Sequence, residues 1–310
     1  MINNQDENND NENNQEQEKV QSQSEIMKET CRQLIDINKI RKITSKELKL
    51  NTSKTNIIGY GGQAMVYHGN FEGHQVAVKV LTDVDWKSLA HELVILSNLK
   101  HDNIPKFFGI VLENNIIELV FEYIEGKTLD DFAKDHFKEV EKLRIAKEIC
   151  SAIDCVYRNN FIHRDLKLEN IMINTDGKAY LIDFGIAKVC TEQLSAFTRA
   201  KGTIYYVAPE VFDGDDQDDE GNIISCVTHK VDVWAFGCIL SYLFSGHMPW
   251  TPKYKDSEPI IQDCIFKKKL YPIPDNIKNE NIIKIIAMTT IIEPAKRANI
   301  SEIKEILDNM

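Results

Sequence analysis

The 310-residue sequence has no CxxC pair, no regular cysteine spacing, no internal repeat, no basic excess and no apolar run long enough to span a bilayer. Each absence excludes something. Seven cysteines, an odd number without pattern, argue against a disulfide framework or a structural zinc site and for a reducing compartment. The formal charge is −11, but residues 1–25 and residues 213–222 each carry −6, which leaves the rest near +1. Acidity therefore belongs to two segments, and nothing suggests nucleic acid as a partner. The most apolar stretch, Val233 to Phe244, is too short to cross a membrane and reads as a helix buried on all sides. The polar N-terminus does not resemble a signal peptide. Together these readings give an expectation of cytoplasmic residence without membrane attachment.

What is present divides along the chain. Residues 1–25 are almost entirely Asn, Gln, Glu and Asp. They hold too little apolar area to offset the entropy of ordering, so a disordered tail is expected. Residues 26–55 form an N-terminal extension; Ile26, Leu34, Ile37 and Ile40 are spaced for a short helix packed on the main domain. From residue 56 to about Tyr123 short apolar runs alternate with glycine turns, which predicts strands. One helix interrupts them from about Trp86 to Leu99, with Leu89, Leu93, Leu96 and Leu99 on one face. Asn114-Asn115 marks a hairpin between two apolar runs. After Thr128 the pattern turns helical in "TLDDFAKDHF" and "EKLRIAKEICSAIDCVYR". Short strands follow around an Asp176-Gly177 turn, and helices run from Phe236 to the end. The expected architecture is α+β, a β-rich N-terminal part with one main helix and an α-rich C-terminal part, with a cleft between them.

Three stretches carry chemistry. "GYGGQAMV", Gly59 to Val66, places glycines between two strands, where backbone can approach phosphate oxygens. Alone it is a weak signal, since glycine hairpins are common. "VAVK" ends in Lys79, and Glu92 stands on the apolar face of the following helix, where an unpaired carboxylate would be costly; the two are candidate partners. "NNFIHRDLKLENIMI" crowds His163, Arg164, Asp165, Lys167 and Asn170 between apolar pairs, and "LIDFG" adds Asp183. Such charge beside buried neighbours must be paired or used. Asp165 is a candidate acceptor for a hydroxyl proton, Asn170 and Asp183 are hard oxygen donors for Mg²⁺, and Lys167 is placed to neutralise charge on a moving phosphoryl group.

In this order the stretches resemble the eukaryotic protein kinase domain, of the serine/threonine type. The match runs from about Asn56 to Leu307 through GxGxxAxV, VAVK, the helix Glu92, HRDLKxxN, DFG, APE (Ala208 to Glu210), DVWxxG (Asp232 to Gly237) and Arg297. The resemblance implies a bilobal fold, with an N-lobe over about 56–121 and a C-lobe over about 125–310. It implies ATP and Mg as cofactors. Gly59 and Gly61 would cover the phosphates, and Lys79, oriented by Glu92, would hold them. Ile58, Val66, Ala77 and Met172 would sandwich the adenine, with Glu122 and Ile124 as hinge contacts and Phe121 as gatekeeper. Asp165 would orient the substrate hydroxyl, assisted by Lys167, while Asn170 and Asp183 bind the metal. Glu210 would pair with Arg297, and His163 would be a packed support.

Lys167 and Thr203 resemble serine/threonine enzymes, and "VYHGNFEGHQVAVKVL" is similar to the tyrosine-kinase-like group. Arg164 before the catalytic Asp implies a phosphate on the activation segment, at Thr198 or Ser195, placed by an upstream kinase. Protein substrates are implied, and Glu169 suggests basic residues near the acceptor. Three features depart from the pattern. Ala64 replaces a glycine, Lys79 and Glu92 are only 13 residues apart, and the acidic insert 213–222 lengthens the segment after APE, where a disordered loop is expected. Dual specificity and a nucleotide-binding pseudokinase stay open as alternatives, and oligomeric state is not legible.

Overall fold

The computed structural model describes residues 28–37, 40–60, 64–82, 86–113, 116–132, 137–184, 188–189, 203–212, 216–217, 223–224, 228–251, 253–254 and 256–310. They fall into two compact units, one within residues 1–97 and 107–122 and the other within 98–106 and 123–310. The Asn- and Gln-rich tail lies outside the described residues, as do Gly61, Ser195 and Thr198.

The first unit is built on an antiparallel sheet of six strands. These are β1 (Leu48–Leu50), β2 (Ile57–Tyr60), β3 (Ala64–Phe71), β4 (His74–Leu81), β5 (Phe107–Glu113) and β6 (Ile116–Glu122). Their order is β1-β3-β4-β6-β5, with β2 also paired to β3. Alternation sets its faces. Val76 and Val78 of β4, Val120 of β6, Val111 of β5 and Phe71 of β3 point to one side and form a core with Ile43 and Leu48. Glu72 and Gly73 turn β3 into β4 with positive φ, and Asn70 Oδ1 accepts from the Gly73 amide at 3.2 Å. β5 and β6 pair up to Glu113↔Ile116, on either side of the Asn-Asn hairpin signal. Helix α1 spans 28–37 and α2 spans Trp86–Asn98. Leu89, Leu93, Leu96 and Leu99, the face expected from their spacing, are all buried.

The face expected for α1 is not the one it buries. Ile37 is 73% exposed and Leu34 half-buried, whereas Cys31 and Ile35 are 0% and 1% exposed. Ile40, beyond the helix, is buried as expected, and Ile26 lies outside the described residues; within α1 the buried stripe is Cys31, a small hydrophobe here, with Ile35 one turn on.

The second unit is mainly helical, with α3 (Glu139–Arg158), α4 (Lys230–Ser245), α5 (Glu258–Phe266), α6 (Glu280–Thr289) and α7 (Ile300–Asp308). Its short strands are β7 (Gly126–Thr128), β8 (Phe161–Ile162), β9 (Ile171–Asn174), β10 (Ala179–Leu181), β11 (Lys188–Val189), β12 (Asp216–Gln217) and β13 (Ile223–Ile224). The stretch "TLDDFAKDHF" departs from the expected helix. Its described residues make one 3-10 turn, Leu129–Asp131, closed by the Asp131 carboxylate on the Thr128 amide and hydroxyl. That local side-chain bonding competes with a continuing helix. Of the acidic insert only Asp216–Gln217 are described; as β12 they pair antiparallel with β13 just beyond it, and the rest of the insert lies outside the described residues.

The run Val233–Phe244 lies in α4, and every residue from Val231 to Ser245 is buried. Gly237 faces Thr289 of α6 so closely that an added Cβ would collide with its hydroxyl. Gly246, at φ 71°, caps α4 by donating its amide to Tyr242 O at 2.7 Å. Among the described residues no helix is long and apolar enough to cross a membrane.

Candidate active site

In the first unit, register places Gly59, Val66, Ala77, Lys79 and Phe121 on one face. Gly59 is opposite Val66, Val66 opposite Lys79, and Ala77 opposite Phe121. Ala77 and Lys79 are two residues apart on β4 and so point the same way. That side is opposite the Val76/Val78 core, and Val66, Ala77, Lys79 and Phe121 are each half-buried. A Cβ added at Gly59 would lie 3.6 Å from that of Val66, its cross-strand partner, an ordinary contact. Lys79 Nζ donates to Glu92 Oε1 at 2.7 Å, which joins β4 to α2 despite the 13-residue separation. Glu92 is 7% exposed, so the ion pair is what makes its burial tolerable. Ile58, on β2, is 45% exposed. Glu122 closes β6 opposite Val76.

The second unit holds the other predicted residues. Asp165 is buried, and its Oδ2 accepts from Lys167 Nζ at 2.6 Å and from Asn170 Nδ2 at 2.9 Å. Asn170 Nδ2 also reaches the Asp165 carbonyl at 2.8 Å. Asn170 thus commits its nitrogen to Asp165 and has its oxygen to offer a cation. Next in the chain come Phe184 and Asp183, whose neighbours are tied to this loop. Ile182 donates its amide to Asn170 O at 3.0 Å, and its carbonyl lies 3.2 Å from His163 Nε2. The His163 ring meets Phe184 edge-on at 4.9 Å. Both Arg164 and Asp183 hold positive φ, 71° and 62°. Such backbone costs about 1–3 kcal/mol per residue and persists only where surroundings over-determine it. Ile124 is buried and Met172 half-buried on β9.

Asp232 supplies much of that determination, and its role was not drawn from the sequence. Its two oxygens accept from the His163 amide at 2.7 Å and the Arg164 amide at 2.8 Å. It sits at the start of buried α4, 69 residues from His163. Burial pushes its carboxyl up from the usual range, while His163, Arg164 and the two amides pull against that. A carboxylate inside an apolar helix was the available signal. Asn103 was missed as well: its side chain donates to Ala179 O at 2.8 Å and its carbonyl accepts from Leu181 N at 2.8 Å, which fixes β10. Glu210 and Arg297 meet as expected, in a bidentate pair at 2.7 and 3.1 Å.

The first unit thus holds a buried Lys79–Glu92 pair, with Gly59 on the strand beyond Val66, and the second a buried Asp165–Lys167–Asn170 loop braced from a core helix. The family model described as "Protein kinase domain" matches residues 52–307, and the chain belongs to that family. Relatives include the "Probable serine/threonine-protein kinase mkcF" of Dictyostelium discoideum, 32% identical over 224 residues. "Wall-associated receptor kinase-like 1" of Arabidopsis thaliana is 35% identical over 231 residues. "Calcium-dependent protein kinase 4" of Plasmodium berghei is 33% identical over 208 residues. These matches cover 70%, 69% and 63% of this chain and 31%, 30% and 37% of the respective relatives. The chain therefore matches about a third of each relative's length. The family generally uses ATP and Mg.

Proposed function

We propose that this chain transfers the γ-phosphoryl group of ATP to Ser and Thr hydroxyls of protein substrates, with Mg²⁺ as the accompanying cation. The observation that carries the reading is Asp165, buried and held by Lys167 and Asn170. The donor set fits the cation. Among the described residues no group of three or more His, Cys, Asp or Glu could hold a metal alone. Mg²⁺ ordinarily takes one or two protein oxygens and shares the rest with phosphates and water. Asn170 and Asp183 are the residues that would hold it, and Lys79 would hold nucleotide phosphates. When bound, ATP supplies the group to be moved and the cation offsets its charge.

The protein's own work is positioning. Asp165 accepts a hydrogen bond from the acceptor hydroxyl and takes its proton, while Lys167, 2.6 Å from that carboxylate, presents positive charge beside the transfer. Asp232 keeps the loop in its left-handed turn at Arg164. Glu92 fixes the Lys79 ammonium. Glu92→Gln is expected to lower kcat/KM for ATP by about 10- to 100-fold, the equivalent of a charged hydrogen bond of roughly 1.5–3 kcal/mol. Initial rates across an ATP series check this.

Glu169 supports a preference for basic residues near the acceptor. Its Oε2 is buried without a hydrogen-bond partner among the described residues, and burial together with Asp130 raises its carboxyl. A substrate Arg or Lys would supply the missing donor. Phosphorylation of Thr198 or Ser195 by an upstream kinase belongs to the same proposal, as does cytoplasmic residence. The test offers the full chain matched peptides with Ser, Thr or Tyr as acceptor, each with Arg or Ala upstream. Label on Ser and Thr, stronger with Arg, is expected. Label on Tyr as well would establish dual specificity, and equal rates with Ala would remove Glu169 from the account.

A further inference from the structure

The segment before the family's domain is built into the first unit at two places. Residues 28–51 precede the start of the family match at residue 52. Within them, residues 40–43 pair with the free edge of β5. Ile110 donates its amide to Arg41 O at 3.0 Å, and Ile43 donates to Ile110 O at 2.8 Å, in a parallel bridge. Gly109 makes this approach possible, because any Cβ there would collide with the Arg41 carbonyl. Arg41 then binds Glu72 through both terminal nitrogens, at 3.1 and 2.6 Å, and Ile43 enters the sheet core.

The second attachment is α1 on α2. Cys31 and Ile35, one turn apart, form the buried stripe of α1, while Arg32, Gln33, Asp36 and Ile37 face outward. Cys31 Sγ donates to the Trp86 carbonyl at 3.2 Å, and Lys28 Nζ lies 5.5 Å from the centroid of the Trp86 ring. Trp86 is the first residue of α2, and Glu92 is six residues further along the same rod. Ile40 donates to Ile35 O at 2.9 Å, which links α1 to the strand pairing at Ile110 and so to the sheet that carries Lys79.

We infer that residues 28–37 and 40–43 are a clamp holding α2 at the register that brings Glu92 to Lys79, with Cys31, Ile35 and Trp86 as positioning residues for phosphoryl transfer. The clamp has one end on the sheet and the other on the start of α2, the two elements the ion pair joins. Releasing α1 leaves the N-terminal turn of α2 without its neighbour, and the Glu92 carboxylate is displaced from the ammonium. This inference rests on the proposed catalytic reading for its kinetic consequence only.

The test uses the full chain with Ile35→Asp, Ile35→Val and Cys31→Ala, each also combined with Glu92→Gln. Ile35→Asp should lower kcat/KM for ATP about tenfold, but by less than about twofold once Glu92 is already Gln, since coupled residues are not additive. Ile35→Val should restore most of the rate. Amide exchange across 86–98 should quicken at least about tenfold in Ile35→Asp and about two- to threefold in Cys31→Ala, with 300–308 unchanged. Equal losses in both backgrounds, or unchanged exchange across 86–98, would overturn the clamp. If Ile35→Asp does not fold, Cys31→Ala decides through exchange alone. A wild-type chain that transfers nothing would sink the catalytic reading, and exchange across 86–98 would still decide whether α1 holds α2.

Discussion

Asp165→Asn is expected to lower kcat by about 10³, within the 10²–10⁴ that a positioned acid or base contributes. The substitution keeps the shape of the side chain and leaves an oxygen for Asn170, so the loop should persist. What goes is the anion that Lys167 meets at 2.6 Å and that would take the hydroxyl proton. KM for ATP should change by less than about threefold, because uniform binding is untouched when Lys79 and Glu92 are intact. Steady-state rates at varied ATP separate the two parameters. A kcat close to wild type would mean that Asp165 is a structural residue, with Lys167 and Asn170 its packing partners.

Arg297→Ala is expected to have the largest effect on stability. The guanidinium is fully buried and binds Glu210 twice, at 2.7 and 3.1 Å. It also donates to the carbonyls of Ile291, Lys230 and Ile292, and lies 5.1 Å from the Trp234 ring centroid. Removing it takes the bidentate guanidinium away from the Glu210 carboxylate, itself 3% exposed. Breaking one side of such a pair costs about 3–5 kcal/mol. For a domain of this size that corresponds to a fall in Tm of roughly 10 °C. Arg297→Lys should recover only part, since an ammonium cannot replace the fork. Replacing both partners with Glu210→Leu and Arg297→Met should recover more than Arg297→Ala does, because no charge is left buried. Thermal unfolding of the three variants checks the order. An Arg297→Ala protein as stable as wild type would show that this ion pair contributes nothing net to stability.

Local chemistry was legible where one residue's neighbours are near in sequence. The β3–β4 hairpin, the leucine face of α2 and the all-round apolar α4 follow from periodicity, because those patterns state which side is buried. The Lys79–Glu92 pair could be drawn because an acid on an apolar helix face demands a cation. Three things were not visible. The face of α1 turned on a cysteine whose partner, Trp86, lies 55 residues away. The bracing of His163 and Arg164 by Asp232 spans nearly 70 residues; a carboxylate inside an apolar helix signals a buried partner, but backbone amides do not say which partner. The turn at Leu129–Asp131 was read as helix because Asp131 counts as polar surface in a pattern, while in the fold it bonds back to Thr128. In each case a contact between distant positions, or a side chain bonding to its own backbone, outweighed local propensity.

The most direct test of the central claim is transfer itself. The full chain and its Asp183→Asn variant would be incubated with labelled ATP, Mg²⁺ and a basic protein substrate, and the labelled amino acids identified. The account predicts label on Ser and Thr with the wild-type chain and none with the variant. No transfer by the wild-type chain, even after treatment with an activating kinase and with ATP binding retained, would contradict it.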